Sequence, residues 1–280
     1  MDAMPSKVYR FAELANLLDE HRGDWHLADG ITVNEFIDFL CTMSHLSRVD
    51  FPFPSRKEIR YTWRSVPLLE VAMTLKPNCY FCHYTAVRMH GLTEQNPRVY
   101  YVNHEQERKP WQAASLTQES ISRAFEGSPR RSNNIADVGS FRFCLLNGMA
   151  SDLAGVEPFV VPDLDGRQDA SVRMTNIERT LVDVAVRPFY AGGLNEVLKA
   201  YRLAHGRVSP PRVADMLAAI GYLYPYAQSI GYLFERSGPY SDNDLRPFRE
   251  TKMEYDFYLG HRMGPTEYVP QWRLFVPKGF

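Results

Sequence analysis

The sequence predicts an α+β fold, helical at both ends with strands between. Three observations carry this. Residues 171–238 hold four short amphipathic stretches, each closed by proline or glycine. Residues 1–66 read as helix, turn, helix and then a two-stranded ribbon, the order of a winged helix-turn-helix. Strand-like runs lie between them at 98–102, 141–146 and 156–161. The expected organisation is a winged helix-turn-helix domain over 1–66 and a mixed α/β domain over 67–280 that ends in a helical cluster.

Composition narrows the function classes. With 280 residues, 45% of them apolar, the chain can bury a large core or two modest ones. A formal charge of −1 gives no global sign of a nucleic-acid or membrane partner. No run approaches the roughly 18 apolar residues of a membrane span. Glu13, Asn16, Asp19 and Glu20 interrupt any signal-like apolar core near the start. Four cysteines in so long a chain do not make a disulfide scaffold, so a cytoplasmic setting is expected.

In chain order, residues 8–22 form an amphipathic pattern with Val8, Phe11, Leu14, Leu17 and Leu18 on one side. Thr32 and Glu35 have capping-box spacing and start a second helix that runs to about Leu46. Two strand-like runs follow, 48–51 and 59–64, around the basic turn Ser55-Arg56-Lys57. Residues 1–66 hold eight basic and ten acidic groups, a net of −2, whereas 48–64 hold five against two, a net of +3. The positive potential is therefore local to the ribbon. Arg48, Arg56, Lys57, Arg60 and Arg64 are the candidate phosphate contacts, which would make binding salt-dependent. Asn34, Thr42, Ser44, His45 and Ser47 are the candidate base readers. Glu35 and Asp38 on the same helix would repel phosphates. The plainer alternative is a solvated hairpin whose charges protect an edge.

A short helix is expected over 67–75, and another ends at Gly91. Cys79-x-x-Cys82-His83 matches the string for c-type haem attachment, and with His90 a zinc site, but lacks an export signal or a second paired cluster. Buried structural cysteines are the expectation, with Cys41 and Cys144 standing alone. Asp163 and Asp165 could hold a hard cation, yet Asp-x-Asp-Gly is also a common turn, which is favoured here. No nucleophile elbow, phosphate loop or zinc-protease motif is present.

Thr175 and Glu178 read as a capping box for a helix with Ile177, Leu181, Val184 and Ala185 inward, stopped by Pro188. Gly192-Gly193 turns into a second helix with Leu194, Val197, Leu198 and Tyr201, ending near Gly206. Ser209-Pro210 opens a third, with Val213, Met216, Leu217 and Ile220. Tyr226, Ile230, Leu233 and Phe234 mark a fourth, ending at Gly238. Residues 239–243 read as a loop, and 253–259 and 272–276 as short strands. The aromatic tail either packs back on the domain or offers a partner surface.

Two stretches resemble a known family. TNIERTLVDVAVRPFYAGGLNEVLKAYRLA with SIGYLFERSG, and FCHYTAVRMHGLT before them, are similar to AbiEi-type antitoxins. These are transcriptional regulators of type IV toxin–antitoxin and phage abortive-infection operons. The resemblance covers most of residues 1–238. It implies a winged helix-turn-helix joined to an antitoxin domain, no enzymatic activity and no cofactor. The expected partners are operator DNA and a nucleotidyltransferase-like toxin, opposed without a stable complex. Family members often carry a more basic first domain. The resemblance therefore implies that DNA contact here is shared with second-domain groups such as Arg108, Lys109, Arg130 and Arg131. The alternatives are a metal-dependent nuclease using Asp163 and Asp165, and a protein-interaction module without specific DNA binding.

Overall fold

The computed structural model describes residues 7–108 and 116–280. The chain opens with β1 (Val8–Tyr9), then α1 (Phe11–His21), α2 (Val33–Met43), β2 (Leu46–Pro52) and β3 (Lys57–Trp63). The first helix starts later than its apolar pattern because Val8 and Tyr9 pair antiparallel with Thr62 and Tyr61. Glu13 then accepts the Arg10 amide at 2.7 Å and fixes the start of α1. The Thr32–Glu35 box forms as read: the hydroxyl accepts Glu35 N at 3.3 Å, and the carboxylate accepts Thr32 N at 2.9 Å. The three strands pair in the order β1-β3-β2. Leu14 and Leu18 of α1 and Phe36, Ile37 and Leu40 of α2 pack on Tyr9, Leu46, Tyr61 and Trp63 of this sheet.

Next come α3 (Leu68–Met73), β4 (Tyr80–Phe81), α4 (His83–Met89), β5 (Val99–Glu105), α5 (Gln118–Glu126), β6 (Ile135–Val138), β7 (Phe141–Gly148), β8 (Val156–Pro162) and β9 (Asp169–Thr175). They build a mixed six-stranded sheet in the order β6-β7-β5-β4-β9-β8. Contacts β4/β9 and β5/β7 are parallel, and the rest are antiparallel. Residues before position 66 keep the core just described, and a second core crosses that position. Phe51 and Phe53 from the ribbon are buried with Leu69, Phe81 and Phe143. Arg60 of β3 donates to the Thr74 and Leu75 carbonyls at 2.8 and 3.3 Å. The first sheet therefore packs helices on one face and the body of the protein on the other.

The last part contains α6 (Ile177–Val186), α7 (Leu194–Leu203), α8 (Pro210–Ile220), α9 (Tyr226–Ser237), α10 (Asp242–Arg249), β10 (Phe257–Tyr258), β11 (Thr266–Val269) and β12 (Leu274–Pro277). The four predicted helices share one core, with Leu181, Val197, Val213 and Ile230 fully buried. Two local expectations fail. Thr175 ends β9, paired with Val156, so Asn176 caps α6 instead and accepts Arg179 N at 3.0 Å. Residues 239–243 lead into α10 rather than a longer loop, because Ser241 and Asp244 form a capping box.

The aromatic tail packs back. Phe257, Trp272, Leu274 and Val276 lie in the same core as α6 to α9. Trp272 sits against Gly231, where a Cβ would meet the indole at 2.3 Å, so α9 carries glycine for close approach. Trp272 Nε1 donates to Glu235 at 2.7 Å. Among the described residues, no helix is long and apolar enough to cross a membrane.

Candidate nucleic-acid interface

Strand alternation sorts the candidate residues of the ribbon. Side chains directly opposite in an antiparallel pair share a face, and successive residues alternate. Tyr61 and Trp63 pack toward α2, so their partners Arg48 and Leu46 lie on that side, as do Asp50 and Lys57. Ser47, opposite Thr62, faces away from α2 and is removed from the base-reading group. Glu58 and Arg60 share its face.

Arg60 does not reach solvent: it is 2% exposed. Its guanidinium donates to Thr74 Oγ1 at 3.0 Å, the Ile59 carbonyl at 2.8 Å, Glu58 at 3.2 Å and the two carbonyls before Lys76. A fork so engaged is a joint between the first sheet and α3, and the expectation that it holds a phosphate is corrected.

The exposed cations of the ribbon meet acids. Lys57 Nζ lies 2.6 Å from Asp50, Arg48 Nε lies 2.9 Å from the same carboxylate, and Arg56 pairs with Glu58. Burial alone would raise Asp50, but hydrogen bonds from Lys57 and Arg48 outweigh it and hold the carboxyl below its ordinary range. Arg64 is exposed at the base of the ribbon, with its amide on the His45 carbonyl at 2.8 Å.

Asn34 and Thr42 lie on the exposed side of α2, and Ser44 and His45 follow it, also exposed. The same side carries Glu35 and Asp38. It also carries two apolar groups, Phe39 at 54% and Met43 at 73% exposure.

Of the second-domain cations, Arg108 pairs with Asp152 at 2.5 Å, Lys109 lies outside the described residues, and Arg130 is exposed. Arg131 lies over the Phe189 ring, 5.4 Å from its centroid. Beside it opens a cleft of about 990 Å³ that also admits Arg262 and His261. Arg262 Nη1 donates to Ser128 Oγ at 2.8 Å. His261 stacks on Phe125 at 4.4 Å. Desolvation lowers the His261 pKa against opposing backbone hydrogen bonds, so the ring is neutral near pH 7. Gly192 and Gly193, at φ +80° and +98°, line the cleft without side chains. No local pattern announced Arg262, His261 or Phe189. They meet only because turns far apart in the chain converge.

The stretches that carry the family resemblance lie largely inside the protein and pack on one another. His90 Nε2 is 2.7 Å from the Thr175 carbonyl, while Tyr84 and Thr93 both donate to Glu196 at 3.0 Å. Arg179 and Asp183 form a buried pair at 2.8 Å, and Arg179 also donates to Ser151 and the Ala154 carbonyl at 2.9 Å. These residues tie α4 to α7 and to the end of β9, and α6 to the loop before β8.

The metal alternatives lose their ligands. Asp163 is buried and accepts the Leu68 and Leu69 amides at 3.0 and 3.1 Å, so it caps α3. Asp165 lies in the turn, accepting Arg167 N at 3.0 Å. Cys79, Cys82 and Cys144 are buried free thiols, and burial pushes Cys79 and Cys144 up to about 11. Among the described residues, no group of three or more His, Cys, Asp or Glu could hold a metal ion.

No protein-family model matches the chain, and no curated protein matches it. A crystal structure of the RV2827C protein from Mycobacterium tuberculosis is similar in fold, with a TM-score of 0.58 at 16% identity, over 97% of this chain and 86% of that one.

Proposed function

We propose that the protein is a DNA-binding regulator of the AbiEi antitoxin type, acting through its first sheet and α2. The observation that supports this most is topological: α1 and α2 lead directly into a β2–β3 ribbon, with β1 closing the sheet in the order β1-β3-β2. That order is similar to the arrangement of a winged helix, in which the helix before the ribbon enters the major groove and the ribbon rests on phosphates. Arg48 and Lys57 stand on the side of α2 and supply the phosphate contacts. Their pairs with Asp50 are half exposed, and such pairs are worth about 1 kcal/mol or less, so a phosphate can displace the carboxylate. Asn34, Thr42, Ser44 and His45 are then the base readers.

The regulatory target and the toxin follow from the resemblance in residues 81–93 and 175–238. The protein represses its own operon and counteracts a nucleotidyltransferase-like toxin without holding it in a stable complex. The test is a titration of upstream DNA at several salt concentrations with the Arg48→Ala/Lys57→Ala variant. Each lost phosphate contact lowers the salt slope by about 0.9, so the pair should lower it by about 2. An unchanged slope would remove the ribbon from the interface.

A second reading, a protein-interaction module, is favoured by Phe39 and Met43, which are exposed on the same helix. It predicts no preference for upstream DNA over scrambled DNA at low salt, and loss of partner-protein binding in the Phe39→Ser variant.

A further inference from the structure

The molecule's cations are distributed unevenly. In the ribbon, Arg48, Arg56 and Lys57 each meet a carboxylate. Around the cleft beside Phe189 the balance is reversed. Arg131 and Arg262 have no ion pair among the described residues, and no carboxylate lines the cleft. In a chain with a net charge of −1, this concentrates uncompensated positive charge in one concave place.

The cleft also has flat apolar walls. The half-buried Phe189 ring faces the Arg131 guanidinium, the His261 ring lies edge-on to Phe189 at 6.4 Å, and Pro129 and Leu194 complete the lining. His261 is neutral near pH 7, so it adds a ring rather than a third charge. At about 990 Å³ the space is at the upper end of small-ligand sites. Guanidinium groups that bind phosphate, set next to an aromatic plate that stacks a base, are the two parts of a nucleotide site. A carboxylate ligand would use the arginines but leave the plate idle.

We propose that this cleft binds a nucleotide unit, with its phosphate on Arg131 and Arg262 and its base against Phe189. The shared chemistry is that of a nucleoside phosphate, free or within a single strand. The site lies in the second domain and does not depend on the ribbon contacting an operator.

The experiment is fluorescence anisotropy of a labelled oligothymidylate strand on the full chain at low salt, with adenosine monophosphate as competitor. The wild type should bind the strand. Arg131→Glu/Arg262→Glu should weaken binding by about tenfold or more and lower the salt slope by about 0.7, the value for the one single-strand phosphate that the two arginines share. Phe189→Leu should weaken binding about fivefold and leave the slope intact, since stacking carries no counterion release. Arg246→Ala, which removes an exposed cation of α10 that belongs to neither the cleft nor the ribbon, should bind the strand as the wild type does. Displacement by adenosine monophosphate would identify a free nucleotide as the occupant, and failure to displace a strand that the double variant no longer holds would identify the strand. The proposal is overturned if the wild type binds neither probe, or if the charge-reversed variant binds the strand unchanged.

Discussion

Replacing Arg60 by alanine separates a structural joint from a DNA contact. The side chain is 3% exposed and its fork fills five hydrogen bonds. Glu58 keeps Arg56 as a partner after the substitution, but Thr74 Oγ1 and the carbonyls of Thr74 and Leu75 lose a charged donor. Breaking a buried, hydrogen-bonded ionic group costs about 3–5 kcal/mol. For a chain of this size that lowers the melting temperature by roughly 2 °C per kcal/mol, so by about 6–10 °C. Arg60→Lys should recover only part, because an ammonium cannot reproduce the planar fork. The assay is urea or thermal unfolding followed by tryptophan fluorescence, alongside the salt slope for upstream DNA. A midpoint unchanged from wild type, together with a slope reduced by about one, would refute the burial of Arg60 and restore it to the phosphate-binding group.

Gly231→Ala should destabilise the protein by about 1–3 kcal/mol or more, read as a lower urea midpoint, because its Cβ would meet the Trp272 ring at 2.3 Å. Arg179→Ala should cost about 3–5 kcal/mol by leaving Asp183 buried and unpaired, and adding Asp183→Ala should recover part of it, so a double-mutant cycle should be strongly non-additive. Burial lowers the His83 pKa to about 4, against an unfolded value near 6.5. Between those values the unfolded chain binds the extra proton, so stability from the neutral ring is complete above about pH 6.5 and is lost as pH falls toward 4. About 2 kcal/mol should go between about pH 7 and pH 5, and His83→Asn should flatten that difference in urea midpoints.

Signals confined to a few residues were legible in the sequence. The Thr32–Glu35 box and the apolar stripes of α6 to α9 depend on neighbours three or four positions away, and all formed. Signals that depend on distant pairing were not. Val8 and Tyr9 became a strand only because Thr62 and Tyr61 arrive beside them, and this moved the start of α1. Asn176 displaced Thr175 as a cap because β8 claimed Thr175. Arg60 and Arg48 look alike in sequence, and only strand alternation and the approach of α3 bury one and expose the other. The cleft was illegible for the same reason, since Arg131, Phe189 and Arg262 come from three separate turns. The family-like stretches were conspicuous because they are dense in interior contacts, so their wording reports the fold more than the site.

The titration to perform is anisotropy of the full chain against its own upstream DNA and a scrambled duplex of equal length, at two salt concentrations. A winged-helix regulator should prefer the upstream DNA by about 10³-fold or more, with affinity for both falling as salt rises. Equal, weak binding to the two duplexes would contradict operator recognition by α2 and the ribbon.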